Sequence, residues 1–237
     1  MIPGLIWLFT FLILPLVEWN FGFSAMVSGI AIGVMIQAAL VVFILVMEIG
    51  AAQKAIISLG IVIFSFIAEY IGVSTGFPFG KYFYTQSLQP QLGNVPILIP
   101  FAWLMMLPPS WAIANRITGK SGRSYIFLLI SSLAFATWDI FLDPQMVGFK
   151  LWQWQSAGQF FGIPYSNYAG WFLAAFVISF FSNYSARGSS SLCLIYVVTW
   201  LIETIGLGLF WHQPLPALAG FVGMGVFVVL SYTQQQN

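Results

Sequence analysis

Residues 23–47 read FSAMVSGIAIGVMIQAALVVFILVM, a run without a single charged side chain. It exceeds the about 20 apolar residues that carry a helix across a bilayer, so it reads as a membrane span. The same pattern recurs on both sides of it. Residues 2–17, 55–72, 97–114, 125–142, 168–184, 192–211 and 215–232 are the other expected spans. In a chain of 237 residues, 60% hydrophobic and 5% charged, about seven or eight spans with short connections leave no room for a soluble domain. An ordinary soluble domain carries roughly 25% charged residues. The expected fold is therefore all-α: a polytopic transmembrane helix bundle forming one integral membrane domain over 1–237. The first segment, MIPGLIWLFTFLILPLV, has no positive leader region and no small-residue cleavage pattern before Glu18, and is read as a short span. Without it the count is seven.

Several function classes are set aside by composition. The net charge is +1 and basic residues are scattered, so no nucleic-acid footprint exists. No glycine-rich loop joins a strand to a helix, which argues against nucleotide cofactors. One histidine and the single Cys193 cannot build a nitrogen or sulfur metal site. No metal and no cofactor is expected, although an all-carboxylate magnesium site stays open at this point.

With eight spans, Lys54, Arg116, Lys120, Arg123 and Arg187 fall in loops on one side, and Lys81 and Lys150 on the other. The positive-inside rule then puts both termini in the cytoplasm, with the plasma membrane as the expected bilayer. The two long connections, 73–96 and 143–167, lie outside. They are rich in aromatic residues, glycine and proline (GFPFGKYFYT, WQWQ, FGIPYSNY) and poor in charge. Such loops lie at the interface as an aromatic belt or fold back into the bundle, where protein satisfies their backbone groups.

The six acids can be weighed one by one. Glu18 and Glu48 end spans at opposite faces and read as boundary residues. Glu69, Asp139, Asp143 and Glu203 all belong to the outer half of the membrane. In TWDIFLDPQM, residues 137–146, Asp139 and Asp143 sit one helical turn apart on one face, and Pro144 is expected to stop the helix. An intramembrane charge costs several kcal/mol unless paired or protonated, and no lysine or arginine lies within a span. At least one of these acids is thus expected to hold a proton, ready for donation in a low-dielectric pocket. Capping and interhelical hydrogen bonding are the structural alternatives. Tyr196, Thr199, Trp200 and Glu203 form a stripe at helical spacing. Asn167 opens the sixth span and serves as a cap or a site residue; Lys81 is an exposed loop residue or a partner for an acid. His212 reads as an interfacial polar residue.

Acid chemistry on an apolar molecule from the lipid phase fits this inventory. Protonating an alkene makes a carbocation, which aromatic faces stabilise by up to about 2 kcal/mol per desolvated contact, and water completes a hydration. Another intramembrane isoprenoid enzyme, a cyclase or a prenyltransferase, is an alternative, and the prenyltransferase would need two acidic motifs and cations for a diphosphate. A transporter or polyene-binding scaffold would use the acids as a proton relay.

The stretches EYIGVSTGFPFGKYFYT, GNVPILIPFAWLMM, TWDIFLDPQM and FGIPYSNYAGW, which fall between Glu69 and Trp171, resemble the membrane family of carotenoid-biosynthesis hydratases. These are carotenoid 1,2-hydratases of the gamma-carotene and bisanhydrobacterioruberin hydratase type. The resemblance implies cofactor-independent addition of water across the terminal C1–C2 double bond of an acyclic psi end group. It covers Glu69, Tyr70, Phe79, Gly80, Lys81, Tyr82, Trp138, Asp139, Asp143, Pro144, Gly162, Pro164 and Asn167. Phe83 departs from the polar residue expected there and receives no role. On this reading Asp139 or Asp143 donates the proton, and Glu69 or the other aspartate activates water. Trp138, Tyr82 or Tyr165 stabilises the cation, while Asn167, Lys81, Glu203 and Trp200 complete the substrate site.

Overall fold

The computed structural model describes residues 2–49, 51–184 and 189–234. The chain begins with two short helices, α1 (Ile2–Leu12) and α2 (Leu14–Phe21), and continues with α3 (Phe23–Ile49) and α4 (Ala51–Thr75). A loop region follows with β1 (Tyr82–Tyr84), β2 (Gln91–Leu92) and β3 (Val95–Pro96). Then come α5 (Leu98–Thr118), α6 (Tyr125–Gly148), β4 (Trp152–Trp154), α7 (Tyr165–Ser182) and α8 (Ser190–Ile205), which runs into a π turn (Gly206–Phe210), and finally α9 (Pro214–Thr233).

The outer surface explains why these helices need lipid. Leu5, Phe9, Ile32, Phe43, Ile56 and Leu218 point away from the protein, an arrangement water would penalise and hydrocarbon accepts. Five helices, including α3 at about 40 Å, are long and apolar enough to cross a bilayer. The α1–α2 pair, bent by 47°, makes a sixth if taken as one span. The chain is thus a multi-pass membrane protein. Neither α5 nor α7 is among them. α5 is the hub of the bundle: it is buried almost without interruption from Ile99 to Ala114 and packs on α3, α4, α6, α8 and α9. A helix enclosed by protein does not need a uniformly lipophilic surface. Arg187 lies outside the described residues, as does the Lys54 side chain. Arg116, Lys120 and Arg123 stand around the α5–α6 turn, at the opposite end of α6 from β4.

Two local expectations are corrected, and a third is extended. Pro144 does not stop α6, which continues to Gly148. A proline removes only its own N–H, and a buried helix held by neighbours accommodates the ring; α5 likewise carries Pro108 and Pro109 in its interior. The sixth expected span begins at Tyr165, with Pro164 preceding it, so Asn167 lies inside α7 and is not its cap. The two long loops also do more than fold back. They pair with one another as an antiparallel ribbon, Tyr82 opposite Trp154 and Tyr84 opposite Trp152.

The loop ahead of β1 is pinned by Phe79, 1% exposed, which lies where α4 and α7 each present a glycine. A Cβ on Gly72 would stand 2.6 Å from the Phe79 ring, and one on Gly170 would stand 2.7 Å from that ring and 3.1 Å from the Pro78 backbone. Gly170→Ala is therefore expected to destabilise the protein by about 1–3 kcal/mol through overpacking. Thermal unfolding in detergent checks this; an unchanged midpoint would mean that the loop moves aside without cost.

Candidate active site

At the end of the bundle closed by the β1–β4 ribbon, a cavity of about 60 Å³ lies among α3, α4, α5, α6 and α7. It has room for ordered water. Glu69, Asp143 and Asn167 supply its buried polar groups; Tyr82, Tyr84, Trp152, Trp154 and Trp171 supply aromatic walls.

Glu69 is gripped by three donors. Tyr82 and Tyr84 donate to Oε2 at 2.5 and 2.8 Å, and the Trp103 indole donates to Oε1 at 3.1 Å. Strand periodicity makes this work: residues 82 and 84 point to one face of β1, so both phenols reach the same carboxyl. Burial first, and the Glu69 carboxyl next, push both phenols well above the usual tyrosine value, so they stay protonated and keep donating.

The aspartates share one clamp. The Asn167 amide nitrogen donates to Asp139 Oδ2 at 2.7 Å and also to Asp143 Oδ2. Asp143 Oδ1 accepts from Trp152 Nε1 at 3.0 Å, while Asp139 Oδ1 is buried without a partner. The one-turn spacing on α6 brings both carboxyls to α7, and only Asp143 lines the cavity. Asp139 stands behind it. No cation takes part in these contacts, and two full charges around one nitrogen in a dry interior repel strongly. Among the described residues no cluster of three or more His, Cys, Asp and Glu is spaced to hold a metal.

The structure thus brings together Glu69, Asp139, Asp143, Asn167 and Tyr82 from the sequence reading. The others fall elsewhere. Tyr165 is 61% exposed and Lys81 is exposed in the loop. Trp138 is fully buried and packs edge-on to Trp171 behind the cavity wall. Trp200 stacks on Phe221 and donates to its carbonyl. Glu203 faces a separate chamber. Sequence reasoning misses Tyr84, Trp103, Trp152, Trp154 and Trp171. Two signals point to some of them: Trp152 and Trp154 alternate in WQW as a strand face does, and Trp171 is four residues from Asn167 on one helical face. Nothing local marks Trp103, whose role depends on α5 meeting α4.

Fold and site together define a multi-pass membrane protein with a buried pocket of acids and aromatic rings at one end of the bundle. The family model described as carotenoid biosynthesis protein matches residues 29–229, and the chain belongs to that family. It is similar to a bisanhydrobacterioruberin hydratase of Haloarcula japonica, 29% identical over 175 residues, covering 69% of this chain and 59% of the relative. The chain accordingly spans about three-fifths of that relative's length. No solved structure matches it.

Proposed function

We propose that this protein is a carotenoid 1,2-hydratase, a hydro-lyase working in the forward direction on an acyclic psi end group drawn from the lipid phase. The observation that carries the reading is the convergence of Asp143, backed by Asp139, and Glu69 on one cavity with aromatic walls. Membership of a carotenoid-biosynthesis family and the hydratase relative support the substrate class.

The aspartate pair holds one proton and passes it to C2. The π electrons of the C1–C2 bond form the new C–H bond, leaving a tertiary cation at C1. Faces of Tyr82, Trp152, Trp154 and Trp171 stabilise that cation. A water lone pair bonds to C1, its proton goes to Glu69, and water in the cavity returns that proton to the aspartates. The sum is addition of H and OH with no change in electron count, so the chemistry calls for no redox cofactor. The end group is larger than the cavity, and its admission requires the flexible side chains of Leu88, Met105 and Met146 to repack.

The whole chain is taken as one membrane domain, in the plasma membrane with both termini in the cytoplasm and the pocket in the outer half. Membranes containing the protein, incubated with lycopene or gamma-carotene in oxygen-18 water, are expected to yield a product heavier by one labelled water. Unchanged carotenoid beside an active control hydratase would overturn the reading in favour of polyene binding or transport. A diphosphate-linked or magnesium-dependent product would favour another isoprenoid enzyme.

A further inference from the structure

Trp152 is held in place by backbone on both sides of the ribbon. After α6 ends at Gly148 the chain turns through Phe149 and Lys150, and the Leu151 N–H donates back to the Met146 carbonyl at 2.9 Å. The Leu151 carbonyl in turn accepts from the Thr85 N–H at 2.9 Å, just past β1. From there β4 pairs with β1, Trp152 opposite Tyr84 and Trp154 opposite Tyr82. Alternation along each strand turns these four rings to one face of the ribbon, and all four line the cavity. Tyr84 and Trp152 meet edge to face with centroids 5.7 Å apart, and Tyr82 and Trp154 stand 5.9 Å apart.

Three of the four polar tips on this face go to acids. The two phenols donate to Glu69, and the Trp152 indole N–H donates to Asp143 Oδ1 at 3.0 Å. The fourth, that of Trp154, goes to the Phe79 carbonyl at 3.1 Å. The ribbon therefore reaches the aspartate pair through Trp152, while its strand partner Tyr84 reaches Glu69. One pair of strands thus sets the acid side and the base side of the site against each other.

The Trp152 bond has a charge to act on. When the O–H bond of the acid breaks and its proton goes to C2, the electron pair stays on the carboxyl oxygens and the aspartates carry one more negative charge. Asp143 is the member of the pair that lines the cavity, and Trp152, 5% exposed, meets its Oδ1 where little water competes. A donor already aimed at the atom where charge develops lowers the barrier without reorganisation, and an N–H bonds more strongly to a charged acceptor than to a neutral one.

We propose that Trp152 is a positioning residue for the acid: acting through Asp143, its indole N–H fixes the carboxyl that faces the cavity and stabilises the charge left there as the proton departs. The inference rests on the hydration reading and deepens it, since it gives the edge of Trp152 a role separate from that of its face.

Two substitutions separate edge from face. Trp152→Phe keeps an aromatic face and loses the N–H. Trp152→His keeps a five-membered ring whose Nε2 takes the place of the indole Nε1, and loses the six-membered ring. With lycopene as substrate, Trp152→Phe is expected to lower kcat by about tenfold to a hundredfold, the effect of one hydrogen bond to a charged group, with KM within about threefold of native. Trp152→His is expected to recover most of that kcat and to raise KM instead. Native kcat in Trp152→Phe, or an equal loss in both variants, would overturn the proposal and leave Trp152 as wall alone. Should Trp152→Phe not purify as a single species, Trp152→His decides: a kcat within about tenfold of native upholds the donor role and a larger fall overturns it. Infrared spectroscopy of the resting protein reads the same bond without turnover. The band of the protonated carboxyl is expected to move in Trp152→Phe and to hold its place in Trp152→His; a band unmoved in both overturns the proposal. Absence of hydration by the native protein would sink the hydratase reading, and the infrared band would then judge the Trp152 bond by itself.

Discussion

Asp143→Asn is expected to lower hydration by between about 10² and 10⁴ while the protein still inserts and purifies as a single species. The substitution is nearly isosteric, so the cavity keeps its shape, but an amide has no acidic proton to give to C2. Its nitrogen also faces a donor, because Asp143 accepts from Asn167 at one oxygen and from Trp152 at the other, and one of these bonds is lost. Asp139→Asn is expected to be damaging as well, through loss of the pair's shared proton, although Asp139 does not line the cavity. Product formed per inserted protein is the measurement. Full activity of Asp143→Asn would remove the aspartate pair from the mechanism.

Glu69→Gln separates chemistry from structure in a second way. Glu69 has three donors around it, two of them tyrosine hydroxyls and one the Trp103 indole. A glutamine can keep its carbonyl toward Trp103, which only donates, and turn its amide nitrogen toward the tyrosines, whose hydroxyls can accept. The network is kept only in a rearranged form, in which at least one tyrosine O–H loses the acceptor it had in Glu69, and thermal stability is expected to fall by about 1–3 kcal/mol. What disappears is the group that takes the proton from water. Turnover is expected to fall by about 10² to 10⁴; turnover near the native level would return the role of base to an aspartate. Glu69→Ala would be a poorer probe, because it leaves the buried Trp103 N–H unpaired and loses stability for that reason alone.

These predictions rest on partners that differ in how legible they are. Asp139 and Asp143 can be found by spacing, since four residues on a helix make one face wherever that helix packs. The tyrosine pair is legible once residues 82–84 are known to be a strand. The strand itself is harder to see, because β1 exists through pairing with β4, a contact between distant loops, and short aromatic loop segments carry no periodicity of their own. Asn167 looks like a cap to local reasoning; the start of α7 two residues earlier turns it inward. Pro144 misleads for the opposite reason, as bundle packing outweighs its local cost. Trp138 and Tyr165 are plausible rings by motif alone, yet neither lines the cavity, and Trp152, Trp154 and Trp171 stand there in their place.

Composition and helical spacing are enough to establish an α-helical membrane protein with an unneutralised acid pair on one helix face, because these depend on lipid solvation and on the geometry of a single helix. They also place Glu203 in the same half of the membrane as Glu69. They cannot tell that Met105 on the central α5 separates Glu203 from the first cavity, nor that Asn167 and Trp152 divide the oxygens of Asp143 between them. Such assignments depend on which faces of different helices meet. Hydrophobicity is nearly uniform around helices such as these, so the choice comes from close packing and from satisfying each buried polar atom, and both involve residues far apart in the chain.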